Sequence, residues 1–437
     1  MLMRPLVVVS LAVICIAARP VDTPPAIYDR DPQHLFNRLY TALAVRTEGG
    51  TLYGADNSEP YDERVDDPGK LIDVLDEFLE QHGEERASGD LQRALLLNDL
   101  WAAFDLTVGA DVGPDGAPLR RRLARVIRRL GLRSSQIAGL PDDYLEAARS
   151  ARFARDFEPA RPERVFLPPD LFDANGPWVQ IGGDGRGAVA TMHLRMLSGR
   201  SVFKVFIRCP GGRRATLSYL ETLNLYRTPW QLKPAEIASA TYPPLREKVR
   251  QEPLILDPAT PQFPAGTMVA LVRQMMVITD KLEPAATPVT QKVQFRVFRK
   301  IGGTAGAYDP HNFGNHQAVY ELVMRRRDLL TGRFGGLHPV APDEIEFQLA
   351  LRPMVATRPQ YLRGDVVLST CAICHAADGI FSVNAYTGLF PFSPGAKRSN
   401  PQLLPASTGD DQVSATVDWK TAQFNWGLLR GLLEAMN

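Results

Sequence analysis

The chain reads as a multidomain α+β protein, with a helical bundle over 27–157, a mainly antiparallel β domain over 171–345 and a small α-helical module over 355–437. Three observations predict this order. Apolar residues first recur at helical spacing, as in Leu71, Leu75, Phe78 and Leu79. Past residue 171 the period drops to two, as in Phe203, Val205 and Ile207. Beyond residue 355 helical spacing returns around two aromatic side chains, Trp419 and Trp426. At 437 residues the chain is long enough for two or three domains.

The first segment predicts export. Residues 1–4 carry one positive charge, and residues 6–17 form an apolar run broken only by Ser10. Membrane spans need about 20 apolar residues, so the run fits a secretory leader over 1–18 and a periplasmic or secreted location. A retained leader would act as a membrane anchor instead. Cys15 suggests a lipoprotein, but the bulky Ile14 before it argues against that.

Several stripes then predict helices. Leu91, Ala94, Leu97, Trp101 and Phe104 follow Asp90 as N-cap, and a further helix opens near Asp143 with Glu146 in a capping box. Leu119, Leu123, Val126, Ile127 and Leu130 line a helix whose other face holds Arg120, Arg121, Arg122, Arg125, Arg128 and Arg129. Residues 56–85 contain twelve acids, so this basic face is expected to pair within the fold or with solvent. The net charge of +1 argues against a nucleic-acid partner.

A Pro- and Arg-rich stretch over 157–170 reads as a linker. After it, Ala190, Met192, Leu194 and Met196 alternate with Thr191, His193 and Arg195, which predicts a strand with His193 on its polar face. Val293, Phe295 and Val297 alternate with Gln294 and Arg296. Residues 268–279 are apolar on both faces, as a central strand would be. A helix is expected over 214–226, and Pro-rich connectors over 253–264 and 284–288. In the last module, one helix over 361–369 leads into a cysteine pair, and another covers 416–435 after a loop over 391–409.

That pair is the run Cys371-Ala372-Ile373-Cys374-His375. C-x-x-C-H is the attachment signature of c-type haem: two thiols add to the two vinyl groups of one porphyrin, and the following imidazole is placed to bind the iron. A disulfide between Cys371 and Cys374 competes with this reading in an oxidising compartment. A redox dithiol would call for a neighbouring βαβ pattern, which is absent.

Residues 355–437 resemble the small class I c-type cytochrome domain. Arg363-Gly364, then Leu368, then Cys371 resemble the helix entering the motif; Gly379 matches a glycine where the chain turns off it. The aromatic C-terminal helix is similar to the one that packs across that first helix. The resemblance implies one covalent haem c, with Cys371 and Cys374 as thioether donors and His375 as proximal iron ligand. It also implies a distal Met, yet the only Met after His375 is Met436, at a terminus where a ligand is poorly held. The upstream alternatives are Met354, His338, His316 and His311, or an open iron face.

These readings predict an exported mono-haem protein that transfers electrons to a redox partner protein. Two alternatives stand beside it: a haem-free structural or interaction protein with a Cys371–Cys374 disulfide, and a haem enzyme or gas sensor with an open distal site. No hydrolase elbow, zinc-protease motif or Walker loop is present. His311 and His316 flank turn residues after Asp309, too loosely spaced to define a metal geometry. The glycine cluster over 182–187 reads as a hairpin, and Gly211-Gly212 as a strand-to-helix turn. Cys209 reads as a buried small hydrophobe, and Arg325, Arg326 and Arg327 as a solvated face.

Overall fold

The structure is a computed structural model that describes residues 25–48, 51–54, 67–109, 113–182, 187–226, 229–232, 254–301, 316–346, 365–366, 368, 372–387, 403–406 and 410–435. The predicted leader, Met354, His311, Cys371 and Met436 lie outside the described residues.

Among the described residues, the first helices are α1 (Leu35–Ala44), α2 (Pro68–Glu80), α3 (Asp90–Gly109), α4 (Gly116–Leu130), α5 (Ser134–Ala138) and α6 (Asp143–Arg149). Helix α2 shows an apolar stripe meeting a good start signal. Asp67 caps α2 by accepting from the Lys70 amide, with Pro68 in the first turn, and Leu71, Leu75 and Phe78 are fully buried. The arginine helix α4 buries Leu119, Leu123, Val126, Ile127 and Leu130. Its basic face is largely met within the fold: Arg122 pairs with Asp76 at 2.7 Å, and Arg129 donates to the Leu79 carbonyl at 2.7 Å. Helix α6 is capped by Asp142, one residue earlier than the sequence suggests. Asp143 instead turns inward and accepts from the Thr290 amide at 2.7 Å.

Helix α3 is buried nearly all round, because it lies between the other helices and a sheet. That sheet has seven antiparallel strands: β3 (Val179–Gly182), β4 (Ser201–Arg208), β7 (Met268–Ile278), β8 (Pro284–Phe298), β9 (Gln317–Met324), β10 (Leu337–Pro339) and β13 (Leu404–Pro405). The order is β10-β9-β8-β7-β4-β3-β13, with the two-face-apolar segment β7 near the middle as predicted. Short two-stranded pairs complete the strands: β1 (Arg46–Glu48) with β2 (Thr51–Tyr53), β5 (Trp230–Leu232) with β6 (Leu254–Leu256), and β11 (Ile345–Glu346) with β12 (Asp365–Val366). One sheet face, with Val202, Phe206, Ala270, Val272, Val293, Phe295 and Leu322, packs into the same core as α1 to α4. Register places Arg273, Lys292, Gln294, Arg296 and Glu321 on the opposite face. All of these except Lys292 are buried.

Further sequence expectations are corrected. Residues 191–196 are helical, α7 (Thr191–Met196), because Ser198 and Gly199 terminate a helix there: both have left-handed φ, and the Gly199 amide bonds back to the Leu194 carbonyl at 2.8 Å. The 284–288 segment is not a connector but the start of β8, paired with the end of β7. The 157–170 stretch is irregular but no free tether, since Phe166 is fully buried 4.7 Å from the Phe295 ring. Within the expected helix at 361–369, Asp365 and Val366 form a strand. The single helix expected over 416–435 is two, α12 (Asp411–Thr421) and α13 (Phe424–Glu434). Between α7 and these lie α8 (Gly212–Asn224), after the expected Gly turn, α9 (Arg326–Leu330), α10 (Ala372–His375) and α11 (Asn384–Thr387).

Buried charge ties these parts together. Arg326, expected on a solvated face, is fully buried; it pairs with Asp99 of α3 and lies 4.8 Å over the Tyr40 ring. A second carboxylate of α3, Asp105, receives Arg200 at 2.9 Å and Lys420 of α12 at 2.8 Å. Burial pushes Lys420 down to about 8 against the pull of Asp105. Helix α13 follows into the same core, with the Trp426 ring tilted against that of Trp101, centres 5.6 Å apart. Trp426→Ala should therefore destabilise the whole fold by about 3–5 kcal/mol, read as a lower urea midpoint at unchanged slope. An unmoved midpoint would show that α13 contributes nothing to that core.

Candidate functional site

The site is built on the polar face of the sheet, where α10 brings His375 down beside β8 and β9. After α10 the chain makes a tight 3-10 turn over Gly379–Ser382 and enters α11. Gly379 permits that turn. Its φ is +52°, and a Cβ there would sit 2.0 Å from Oε1 of Gln262. That same oxygen accepts from the amides of Ile380, at 2.6 Å, and Phe263, at 2.8 Å. Ile380, Phe381 and Tyr386 bury beside Val205 and Ile207 and fix the turn against β4.

The turn aims a carbonyl at the buried His375 ring. Nδ1 lies 2.9 Å from the Ser382 carbonyl oxygen and 3.3 Å from the Asn384 side-chain nitrogen; with the carbonyl, which can only accept, as the nearer partner, a neutral imidazole donates from Nδ1 and keeps its lone pair on Nε2. Asn384 donates to the Cys374 carbonyl at 3.1 Å, and Gln317 of β9 donates to the His375 carbonyl at 2.7 Å. Arg296 of β8 approaches both the carbonyl and the hydroxyl of Ser382 at 3.4 Å. Burial, reinforced by Arg296 and His193 against the Ser382 carbonyl, holds His375 well below the usual imidazole range. The ring is therefore neutral at pH 7, as a metal ligand must be.

Cys374 is half-buried with a free thiol, which burial pushes upward while Arg296 pulls it down. A thiol so placed is a poor nucleophile at neutral pH, which argues against a self-activated redox site.

The residue that sequence reasoning missed is His193. Its ring lies parallel to that of His375, with centres 6.1 Å apart and planes 7° apart, and it also contacts Phe203 at 5.4 Å. His193 keeps an accessible edge, yet its ring is sunk among protein atoms. That burial, with Lys292 and Arg296 adding to it against Glu321, pushes the imidazole down to about 4. Among the described residues no hydrogen bond to this ring is present. Below the two histidines, Glu321 binds Lys292 and Gln294, each at 2.8 Å, and Arg273 donates to the Ser201 hydroxyl at 3.0 Å.

The other predicted histidines fall elsewhere. His338 pairs in register with Val323, six residues along β9 from Gln317, which is about 20 Å of strand. His316 is adjacent to Gln317, and its Nδ1 lies 3.4 Å from Asp378. Among the described residues, the group whose donors could converge on an ion is His82, Glu84 and Glu85 on a surface turn, with Glu84 also near Arg129. Cys209 is buried, as expected, and its amide is held by the Thr216 hydroxyl at 2.8 Å. No protein-family model, curated protein or solved structure matches this chain.

Gly379→Ala should strain the turn and displace Gln262 from its two amides. We expect a loss of about 1–3 kcal/mol in thermal or urea unfolding. A variant as stable as the parent would mean that the left-handed turn does not fix the Ser382 carbonyl.

Proposed function

We propose that this protein is an exported, mono-haem c-type cytochrome-like protein whose role is electron transfer to a partner protein. Cys371 and Cys374 would hold the haem covalently, and His375 would ligate its iron. The observation that carries this reading is the Nδ1 bond from His375 to the Ser382 carbonyl. It leaves Nε2 as the donor nitrogen immediately after the C-x-x-C pair, and iron- or zinc-bound imidazoles are held in the same way by a backbone carbonyl on the other nitrogen. The donor chemistry fits the group: a neutral imidazole, a reduced thiol at Cys374 and a glycine turn that closes the loop beneath them.

Each neighbouring residue has a definable task. Ser382 fixes the tautomer and the rotation of the ring. Asn384 and Gln317 tie down the carbonyls of Cys374 and His375, so α10 is anchored at two of the three residues that would carry the group. Arg296 holds the Ser382 carbonyl in place and, being positive, opposes protonation of the imidazole. Haem, when bound, supplies a one-electron iron couple. The helical and sheet regions before it act as scaffold and as surface for a partner, and the leader directs the chain to the periplasm or beyond.

The test is covalent attachment. Protein co-produced with a c-type maturation system and then denatured should give the pyridine haemochrome band of a twice-linked haem. Replacing both Cys371 and Cys374 with Ser should abolish it. His375→Ala should keep some covalent pigment but lose the native Soret spectrum. A colourless wild type with Cys371 joined to Cys374 would replace this reading with that of a haem-free, disulfide-closed protein.

A further inference from the structure

We propose that Asp143 is buried as a neutral acid and in that form latches α6 to β8, so that the protein holds together more firmly in acid than in alkali. The latch stands whether or not haem binds. Other buried aspartates in this fold face cations: Asp99 has Arg326, and Asp105 has Arg200 and Lys420. Asp143 is just as deep, at 0% exposure, and among the described residues no cation pairs with it. Its Oδ1 accepts from the amides of Thr290, at 2.7 Å, and Tyr144, at 2.9 Å. Its Oδ2 is sealed from solvent and makes no hydrogen bond. An ionised carboxylate so placed is costly, and a group in that position keeps its proton instead. Burial raises this carboxyl well above its ordinary value, against the Thr290 and Tyr144 amides and with Asp142 adding to the rise.

The charged groups on the elements packed around α6 turn elsewhere. Lys292 of β8 binds Glu321 at 2.8 Å, and Arg333, beside the 334–336 turn, lies 3.7 Å from Asp328. His338 of β10 lies among Arg325, Glu344, Arg152 and Asp328. On α6 itself, Glu146 and Arg149 are exposed. The same two residues of α6 join three neighbours. Asp143 meets β8 through its side chain, and its carbonyl seats Gly335 so closely that a Cβ there would lie 2.2 Å away. The Tyr144 hydroxyl donates to the Pro168 carbonyl at 2.7 Å. A negative charge appearing at this junction has no counter-ion to answer it.

The sign follows from proton counting. An unfolded aspartate ionises near about 3.9, whereas the folded carboxyl keeps its proton to higher pH. The folded state therefore binds more protons between the two values, and stability falls as pH rises through that window. Below it the contribution is complete.

The experiment compares urea unfolding of the full-length protein and Asp143→Asn from acid to alkaline pH. Asparagine keeps the oxygen that accepts both amides but cannot ionise, so groups common to both proteins cancel. The folding equilibrium constant of wild type relative to Asp143→Asn should fall by up to about tenfold per pH unit above about pH 4, and then level off. A ratio that stays flat would overturn the proposal, because the two amides would then hold the carboxylate charged. If Asp143→Asn fails to fold, wild type alone decides. Protein labelled with 13C-aspartate should show the infrared C=O stretch of a neutral carboxyl at about pH 6, two units above an exposed aspartate. Its absence would equally overturn the latch.

Discussion

Two carboxylates on one buried helix organise this molecule. Asp99 and Asp105 lie on α3, which is buried along most of its length and sandwiched between helices and sheet. A charge taken out of water there is tolerable only beside an opposite charge with its hydrogen bonds satisfied, and removing one partner costs about 3–5 kcal/mol. The partners come from far along the chain: Arg326 after β9 for Asp99, and Arg200 before β4 with Lys420 of α12 for Asp105. Tyr28 donates to Asp99 at 2.7 Å and completes its shell. Such pairs add little net stability over apolar packing, but they penalise any arrangement in which sheet or C-terminal helices dock elsewhere. The seating of α12 and α13 against the N-terminal helices follows from this.

The same economy explains the position of His375. One face of the sheet is spent on the core with α3, and polar residues are left on the other. A polar sheet face can be covered only by groups that answer it, and the turn after α10 does so with backbone. Ser382 offers its carbonyl and hydroxyl to Arg296, and His375 offers its carbonyl to Gln317. The ring is thus oriented by strands more than fifty residues away in sequence. A short C-x-x-C-H turn would otherwise be a loose carrier, since one helical turn has no stability of its own. The large body before the motif is in this sense part of the site: it supplies the rigidity that the motif lacks.

Much of this was legible in the sequence, for identifiable reasons. The stripes of α2 and α4 and the antiparallel run through β7, β8 and β9 are long enough for their period to be unambiguous. The basic face of α4 could be matched to the acidic segment by charge alone, and Arg122 with Asp76 bears that out. Short segments failed. Six residues from Thr191 to Met196 fit either period, and the deciding signal is the Ser198-Gly199 terminator just beyond them. Pro284 and Pro288 suggested a connector, yet a long strand can begin through them when its partner is only the end of β7. Arg326 gave no local warning, because its carboxylate is 227 residues away.

His193 shows where local reasoning ends. It lies 182 positions before His375 on a helix mistaken for a strand, and nothing within either segment names the other. What brings them together is a chain of tertiary constraints. Trp419 closes over Gly199 and so sets the end of α7. Lys420, next to it, is held by Asp105 and by the Ser198 carbonyl at 2.8 Å. The α3 carboxylate thereby reaches, through one lysine, the helix that carries His193, while the sheet it packs against orients His375. Two imidazoles, each useless as a signal alone, are made neighbours by the charges that hold the core, and that is why the site could be read only from the folded molecule.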